Sequence, residues 1–325
     1  MNGIDNQPLL SICIPTWNRS KFVKIQLESF AEHLKGIDAS EIELYISDNC
    51  SDDDTEEVVR QYTSQIAAIT YNRNEKNIGA AGNFVRCMQW ASGKYILLLG
   101  DDDILEPGSV KYLLDQLRGN DYGLVHMHPF EDMTEECVVY EDYEAFYKRV
   151  SFWFTFMSGS IFRREVVQMV DPSKYVNTHL LQMPYYLLSA TRGKNNLLIN
   201  KQLLKTGLDS SNNGGYKFYE VFVRNYLNIW KELVDNKTIT PSCFEYLKKD
   251  IYKKFILNYN FMLLVRHKNV KPENANCNAC RSGFKITGAK EILKEYYGKD
   301  FYYKISWVYY LKFYMKALLK KLCPF

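Results

Sequence analysis

No stretch of about 18 uncharged apolar residues occurs anywhere in the 325-residue chain, so nothing in it reads as a membrane-spanning helix. A secretory leader is missing too: "MNGIDNQPLLSICIP" has neither a basic n-region nor a long apolar core, and a cytosolic location is the expectation. Charge of one sign is not in excess, and a net charge of +3 is too small to mark a nucleic-acid binder. Paired cysteine motifs are scarce. Of the 8 cysteines, Cys13, Cys50 and Cys87 lie scattered within or beside predicted core elements, as small buried hydrophobes do, and build no short disulfide framework. Only Cys277 and Cys280, in "NCNACRS", have zinc or redox spacing, and without a second CxxC or paired histidines the expected reading is a plain loop.

What is present is a globular composition, 46% hydrophobic and 24% charged, long enough for two domains or for one with an extension. The first hundred residues alternate between strand and helix patterns. "LLSICIP" (9–15) reads as a buried strand, "KFVKIQLESFAEHL" (21–34) as an amphipathic helix and "IELYISDN" (42–49) as a second strand. "SDDDTEEVVRQY" sets acidic residues in a first helical turn, where the helix dipole favours them. "AITYNRN" gives a third strand, "GAAGNFVRCMQWA" a third helix and "KYILLL" a fourth strand. Such alternation predicts a mainly parallel sheet with right-handed crossovers. "PGSVKYLLDQLRG" then reads as a helix, "DYGLVHMH" as a strand, "FTFMSGSIFRREVVQMV" as a strand or turn leading into a helix, and "NTHLLQMPYYLLSATRG" as a helix with Pro184 near its first turns. After the polar, Gly-rich "SNNGGYKF" the β-α rhythm stops and a Tyr- and Lys-rich helical pattern begins, which puts a boundary near residue 215.

The stretch "YILLLGDDDILEP" sets three aspartates at the carboxyl end of an apolar strand. Three adjacent carboxylates repel one another unless solvated or neutralised, and a divalent cation with oxygen ligands is a natural neutraliser in a cleft. Alone, the triplet reads equally well as a solvated turn. Three companions shift that balance: "IPTWNR" after the first strand, "SDNCSDD" after the second and "NEKNIGAAGN" before the third helix. All would lie along one edge of the sheet, where ligands bind in open α/β folds. Gly79 and Gly82 would let backbone approach a ligand closely, and Lys76 could set a point charge near phosphate; the plain alternative is a helix start with ordinary turn glycines.

In the ordered set "SICIPTWNRS", "ISDNCSDDDTEEVV", "NEKNIGAAGNF" and "YILLLGDDD" the sequence resembles the inverting family-2 glycosyltransferases of the GT-A fold, most closely their abequosyltransferase-like branch, over roughly residues 9–205. The resemblance implies an α/β, Rossmann-like catalytic domain of the GT-A fold, which the boundary near 215 sets over 1–215, and the helical pattern beyond it gives a C-terminal extension over 216–325. It implies that Pro15, Thr16, Asn18 and Arg19 line a nucleotide pocket, that Asp48 accepts a hydrogen bond from the base, and that the segment Asn77, Gly79 and Asn83 borders ribose and diphosphate. Asp101 to Asp103 would be the family's DxD site for Mg²⁺ or Mn²⁺, with Asp102 and Asp103 as metal ligands and Asp101 in the variable slot beside the cofactor. Two departures stand out: Gly100 occupies the place of the usual first aspartate, and Gly82 that of a frequent arginine.

An inverting transferase needs a base for the acceptor hydroxyl. Relatives usually present an acidic pair late in the domain; here Thr178 and His179 stand in its place, which makes His179 the candidate, with Asp171, Asp132 and the pair His126 and His128 as rivals. In the tail, Lys312, Lys316 and Lys320 form one stripe of an aromatic-rich helix, a pattern that suits an anionic membrane surface or packing against protein equally. The expected function is therefore a metal-dependent hexosyl transfer from a nucleotide sugar to a glycan, lipid-linked, in bacterial surface polysaccharide (capsule or O-antigen) synthesis at the inner membrane face. UDP is the family's commonest donor nucleotide; CDP and dTDP stay open. The alternative is a non-catalytic GT-A-like module that binds sugar nucleotide or glycan.

Overall fold

Apolar runs without alternation are the mark of strands covered on both faces, and the first four strands become neighbours in one sheet, with the half-exposed third at its edge. In the computed structural model, which describes residues 7–207, 217–257 and 289–298, these are β1 (Leu10–Thr16), β2 (Ile42–Asp48), β3 (Ile69–Arg73) and β4 (Tyr95–Leu98). Between them run α1 (Ser20–His33), α2 (Thr55–Thr63) and α3 (Gly79–Trp90). Then come β5 (Ile104–Leu105), α4 (Ser109–Leu117), β6 (Tyr122–Met127), β7 (Cys137–Tyr140), α5 (Tyr143–Val150), β8 (Ser160–Arg163), α6 (Gln182–Ala190), β9 (Asn195–Ile199) and β10 (Leu204–Lys205).

The main sheet has the order β3-β2-β1-β4-β8-β6-β9-β7, and β10 pairs with β5 in a separate ribbon. β3, β2, β1 and β4 are mutually parallel, as are β6 and β9; β8 runs antiparallel to both β4 and β6, and β7 antiparallel to β9. The reversal at β8 leaves β6 and β9 pointing the same way as β4, and β7 is reversed again at the far edge. The carboxyl ends of six strands therefore share one edge, together with the start of β8. The core below that edge is built on Leu10, Ile12, Ile14, Leu44, Ile46, Leu97 and Val125, all fully buried, against Val23, Leu27 and Phe30 of α1 and Leu113, Leu114 and Leu117 of α4.

Two local expectations are corrected. "REVVQ" forms a single 3-10 turn, Arg164–Gln168, and no longer helix. The helix expected from Asn177 starts only at Gln182, with Pro184 in its first turn, so residues 177–181 form a turn. Residues 137–150 and 195–205, which carry no clear period, contribute β7, α5, β9 and β10.

Gly123 and Gly193 meet backbone to backbone at the start of β6, where the register against β9 shifts between Tyr122 and Val125. A Cβ on Gly193 would stand 2.0 Å from the Gly123 nitrogen and 2.5 Å from its Cα, and backbone cannot rotate away as a side chain can. Gly193→Ala is expected to destabilise the domain by about 1–3 kcal/mol, the usual cost of overpacking, read as a lower urea midpoint. An unchanged midpoint would mean that the turn before β9 opens freely.

The chain divides into two compact units, residues 1–208 and 209–325. The described part of the second is helical: a π-helical turn at Glu220–Asn225 runs into α7 (Tyr226–Asp235), α8 (Pro241–Ile251) continues into a second π-helical turn at Tyr252–Ile256, and a further helix spans Ala289–Tyr297. Thr240 caps α8 by accepting from the Cys243 N–H, with Pro241 at the first helical position. Among the described residues no helix is long and apolar enough to cross a membrane. Cys277, Cys280 and the stripe Lys312, Lys316 and Lys320 lie outside the described residues.

Candidate active site

The exits of β1 and β2 are fastened together. The Asn49 N–H donates to the Thr16 carbonyl (2.9 Å), the Asn18 N–H to the Ser51 hydroxyl (2.8 Å) and the Asp52 N–H to the Asn18 side-chain oxygen (2.7 Å). Asn18 holds a left-handed backbone, φ 52°, which Asn tolerates better than most residues. The turn leaves Trp17 with 49% of its surface exposed.

Asp48 ends β2 fully buried. One carboxylate oxygen accepts from the Ser51 N–H (2.8 Å) and the other from the Tyr71 hydroxyl (2.7 Å), with the Arg73 guanidinium 3.8 Å away. Burial and the bond to Asp48 both push the Tyr71 phenol pKa well up, so it stays a donor. Next to this group lies a row of amides. The Asn77 oxygen accepts from Asn49 (2.9 Å) and from the Gly79 N–H (2.8 Å), and Gly79, at φ +77°, has open space where a Cβ would stand. Lys76 and Asn77 are exposed on this loop. Asn83 is different: it is buried, accepts from Ser47 (2.7 Å) and Asn74 (3.0 Å) and donates to the Ser47 carbonyl (2.9 Å), so it braces α3 against β2 from inside. Pro15 is likewise inside, in β1.

The triplet comes next along the edge. Asp101 accepts from the Thr16 hydroxyl (2.9 Å) and pairs with Arg19 Nε (3.0 Å), while Arg19 Nη2 reaches Asp102 (3.3 Å). Burial pushes the Asp101 pKa up to about 6 against the pull of Arg19 and Thr16. Asp103 accepts from the Ser158 hydroxyl (2.6 Å) and the Gly207 N–H (3.2 Å), and burial raises its pKa too. Underneath, the buried Gln26 amide donates to the carbonyls of Gly100 (3.0 Å) and Asp103 and fixes the loop to α1. Asp102 keeps the more exposed carboxylate of the Arg19-bound pair, 28% against 10% for Asp101. The glycine at 100 has a steric reason: a Cβ there would lie 3.0 Å from an Asp103 oxygen and 3.3 Å from one of Asp102.

The candidate bases separate. His126 is fully buried against Ser160 (2.9 Å), with its pKa pushed down to about 3 by burial. Asp132 is held by Arg149 in a two-bond pair (2.7 and 2.9 Å). Asp171 caps the turn at Pro172–Lys174, accepting from the Ser173 N–H and hydroxyl, and these bonds lower its pKa. His128 stacks on Trp153 with ring centroids 3.6 Å apart, and burial brings its pKa down to about 4. His179 is exposed on the turn before α6, at φ 59°, a left-handed backbone that His, like Asn and Asp, adopts more readily than most residues. The start of α6 is tied to the stretch leading to Ser158 by a bond from Gln182 to the Thr155 carbonyl (2.7 Å), so the His179 turn borders the triplet side of the sheet. Ser158, Gly207, Gln26 and Tyr71 carry no motif, and sequence reasoning misses them.

The profile described as Glycosyl transferase family 2 matches residues 11–168. An abequosyltransferase of Salmonella typhimurium is 37% identical over 107 residues, 32% of this chain and 31% of that protein. A GalNAc(5)-diNAcBac-PP-undecaprenol beta-1,3-glucosyltransferase of Campylobacter jejuni is 33% identical over 111 residues, 34% of each chain. The chain thus matches about a third of the length of these relatives. Among solved structures, S. aureus TarS 1–349 in complex with UDP-GlcNAc superposes with a TM-score of 0.59 at 15% identity, covering 80% of this chain and 76% of that one. The mannosyltransferase PcManGT of Pyrobaculum calidifontis, in complex with GDP-Man and Mn²⁺, superposes at 0.53 and 14% identity, covering 98% and 88%.

Proposed function

Residues 11–168 form a glycosyltransferase family 2 domain with the GT-A fold, and on that premise we propose that the protein is a metal-dependent inverting glycosyltransferase. Its donor is a nucleotide sugar and its acceptor a lipid-linked glycan of a bacterial surface polysaccharide. The observation that carries this reading is the junction of three chain segments at one edge: Thr16 and Arg19 after β1 hold Asp101 and Asp102 after β4, beside the Asp48 group after β2. In this reading the base stacks near the half-exposed Trp17 and is read by Asp48, and Arg19, Lys76 and the Asn77–Gly79 turn face the diphosphate.

Mg²⁺ or Mn²⁺ fits the donor set in one particular way. Among the described residues no three His, Cys, Asp or Glu side chains converge into a ready-made cage. Mg²⁺ needs none, since one or two carboxylates plus substrate phosphates hold it. Asp102, the accessible carboxylate, would supply the protein ligand, with Asp103 fixed behind it by Ser158 and Gly207. When bound, the ion supplies positive charge opposite the departing diphosphate. The chain itself keeps Arg19 beside that charge and offers His179 as proton acceptor for the attacking hydroxyl.

The Campylobacter relative named for an undecaprenol-linked substrate supports the lipid-linked acceptor, and with such an acceptor the protein would work at the cytoplasmic face of the membrane. Calorimetric titration with UDP-, CDP- and dTDP-sugars in Mn²⁺, followed by product analysis with glycan acceptors, tests the reading. Micromolar binding of one nucleotide class with turnover is expected. Binding without turnover would favour the non-catalytic module, and no binding across the panel would overturn the proposal.

A further inference from the structure

One cavity lies just beyond the triplet, and none of the motifs accounts for it. It has a volume of about 230 Å³, and its walls come from Trp153 and Phe156, from His128 after β6, and from Leu203, Leu204 and Thr206 around β10. The Trp153–Phe156 wall and the β10 wall are fastened to the aspartate loop. Leu204 pairs with Leu105, the Leu203 carbonyl accepts from the Glu106 N–H (2.9 Å), the residue after Thr206 donates to Asp103 (3.2 Å), and Ser158, two residues after Phe156, donates to the same carboxylate (2.6 Å).

Position along the sheet edge says what the cavity serves. The nucleotide segments end β3, β2 and β1, the metal triplet ends β4, and the cavity lies at the ends of β8, β6 and β9. A sugar nucleotide laid along that edge, base first, places its diphosphate at the triplet. The partner that attacks from the face opposite the diphosphate then stands on the far side of the transferred sugar, over the cavity. The walls match a sugar ring. Trp153 is half-buried and backed by the stacked His128, which holds the indole in place, and a flat aromatic face packs well against the C–H face of a pyranose. His128, Lys201, Gln202 and Thr206 supply the polar groups beside walls that are otherwise apolar, the usual balance of a small-molecule site. At about 230 Å³ the cavity is smaller than the roughly 300–1,000 Å³ of typical ligand pockets, so it takes one ring and not a longer glycan.

We infer that this cavity is the subsite for the terminal sugar of the acceptor, a single pyranose packed through its C–H face on Trp153. The inference rests on the glycosyltransferase reading only for the word acceptor; the cavity and its aromatic wall stand without it.

The test uses the full chain and a panel of methyl glycosides (methyl β-glucoside, methyl N-acetyl-β-glucosaminide, methyl α-rhamnoside), with saturation-transfer NMR as the readout and UDP with Mn²⁺ as a separate arm. At least one glycoside is expected to bind wild type at millimolar concentration. Binding should weaken about tenfold in Trp153→Ala, the scale of one lost aromatic contact, and largely return in Trp153→Phe. Thr206→Tyr, at an exposed position on the rim, should block the cavity without touching the core and abolish binding. UDP affinity should be unchanged in all three variants. Absence of glycoside binding to wild type, or equal binding to Trp153→Ala and Thr206→Tyr, would overturn the inference. Displacement of the glycoside by UDP-GlcNAc but not by UDP would assign the cavity to the donor's sugar and overturn the acceptor assignment. Loss of UDP binding in wild type would count against the nucleotide-sugar reading and leave the glycoside result to be judged by itself.

Discussion

Asp102→Ala is expected to lower sugar transfer by about 10³-fold while the protein stays folded, because the substitution removes the one accessible carboxylate of the triplet and nothing from the core. The neighbouring positions would not give so clean a result. Asp101 and Asp103 are buried, and each holds loop structure: Asp101 through Thr16 and Arg19, Asp103 through Ser158 and Gly207. Replacing either leaves donors unpaired in the interior, at a cost of about 1–3 kcal/mol each, and mixes a folding defect with a catalytic one. Asp102 is engaged by Arg19, which keeps its bond to Asp101 when Asp102 is gone. The expected stability change is therefore about 1 kcal/mol, at the upper end for a pair that keeps some solvent access. Thermal unfolding and Mn²⁺ paramagnetic relaxation, measured on the same samples with UDP present, separate the two effects. Wild-type transfer in the variant, sustained in a chelator, would end the metal role of the triplet.

The same geometry explains what the sequence makes visible and what it hides. β1, β2 and β4 are buried on both faces, so they run largely apolar, and the loops at their ends are polar; that contrast marks "IPTWNR", "SDNCSDD" and "LLLGDDD" as lying on one edge. The partners that fix those loops leave no such trace. Gln26 is one polar residue on a helix face, and only the fold brings its amide under Gly100 and Asp103. Ser158 and Gly207 reach Asp103 from 55 and 104 residues away. Tyr71 sits on a half-exposed strand, where its aromatic ring reads as β propensity and its bond to Asp48 is invisible. The late elements are obscured for a different reason. β7 and β9 are short and carry polar ends, and the stretch through Asn177 to Leu181 has helical spacing yet forms a turn that passes through a left-handed residue at 179.

That residue carries the second large effect. In the His179→Ala variant turnover is expected to fall by about 10²-fold or more, the usual scale for losing a general base, while donor affinity stays within experimental error. The physical case is one of elimination joined to placement. His126 is sealed in the core, out of reach of an acceptor hydroxyl, while at the surface Asp132 is engaged by Arg149 and Asp171 by Ser173. His179 is exposed, on a turn joined to the triplet side through the Gln182 to Thr155 bond. His128 remains the rival, being half-exposed beside the Trp153 cavity, but burial holds its pKa near 4, and so weak a base gains little from accepting a proton. The two predict different outcomes for the variants. If His179 takes the proton, His179→Ala carries the loss and His128→Ala stays near the wild-type rate. If His128 takes it, His179→Ala keeps a near-normal rate and His128→Ala carries the loss. Single-turnover rates of wild type and the two alanine variants decide between them, and a near-normal rate for His179→Ala at neutral pH would remove it from the mechanism without touching the nucleotide or metal sites.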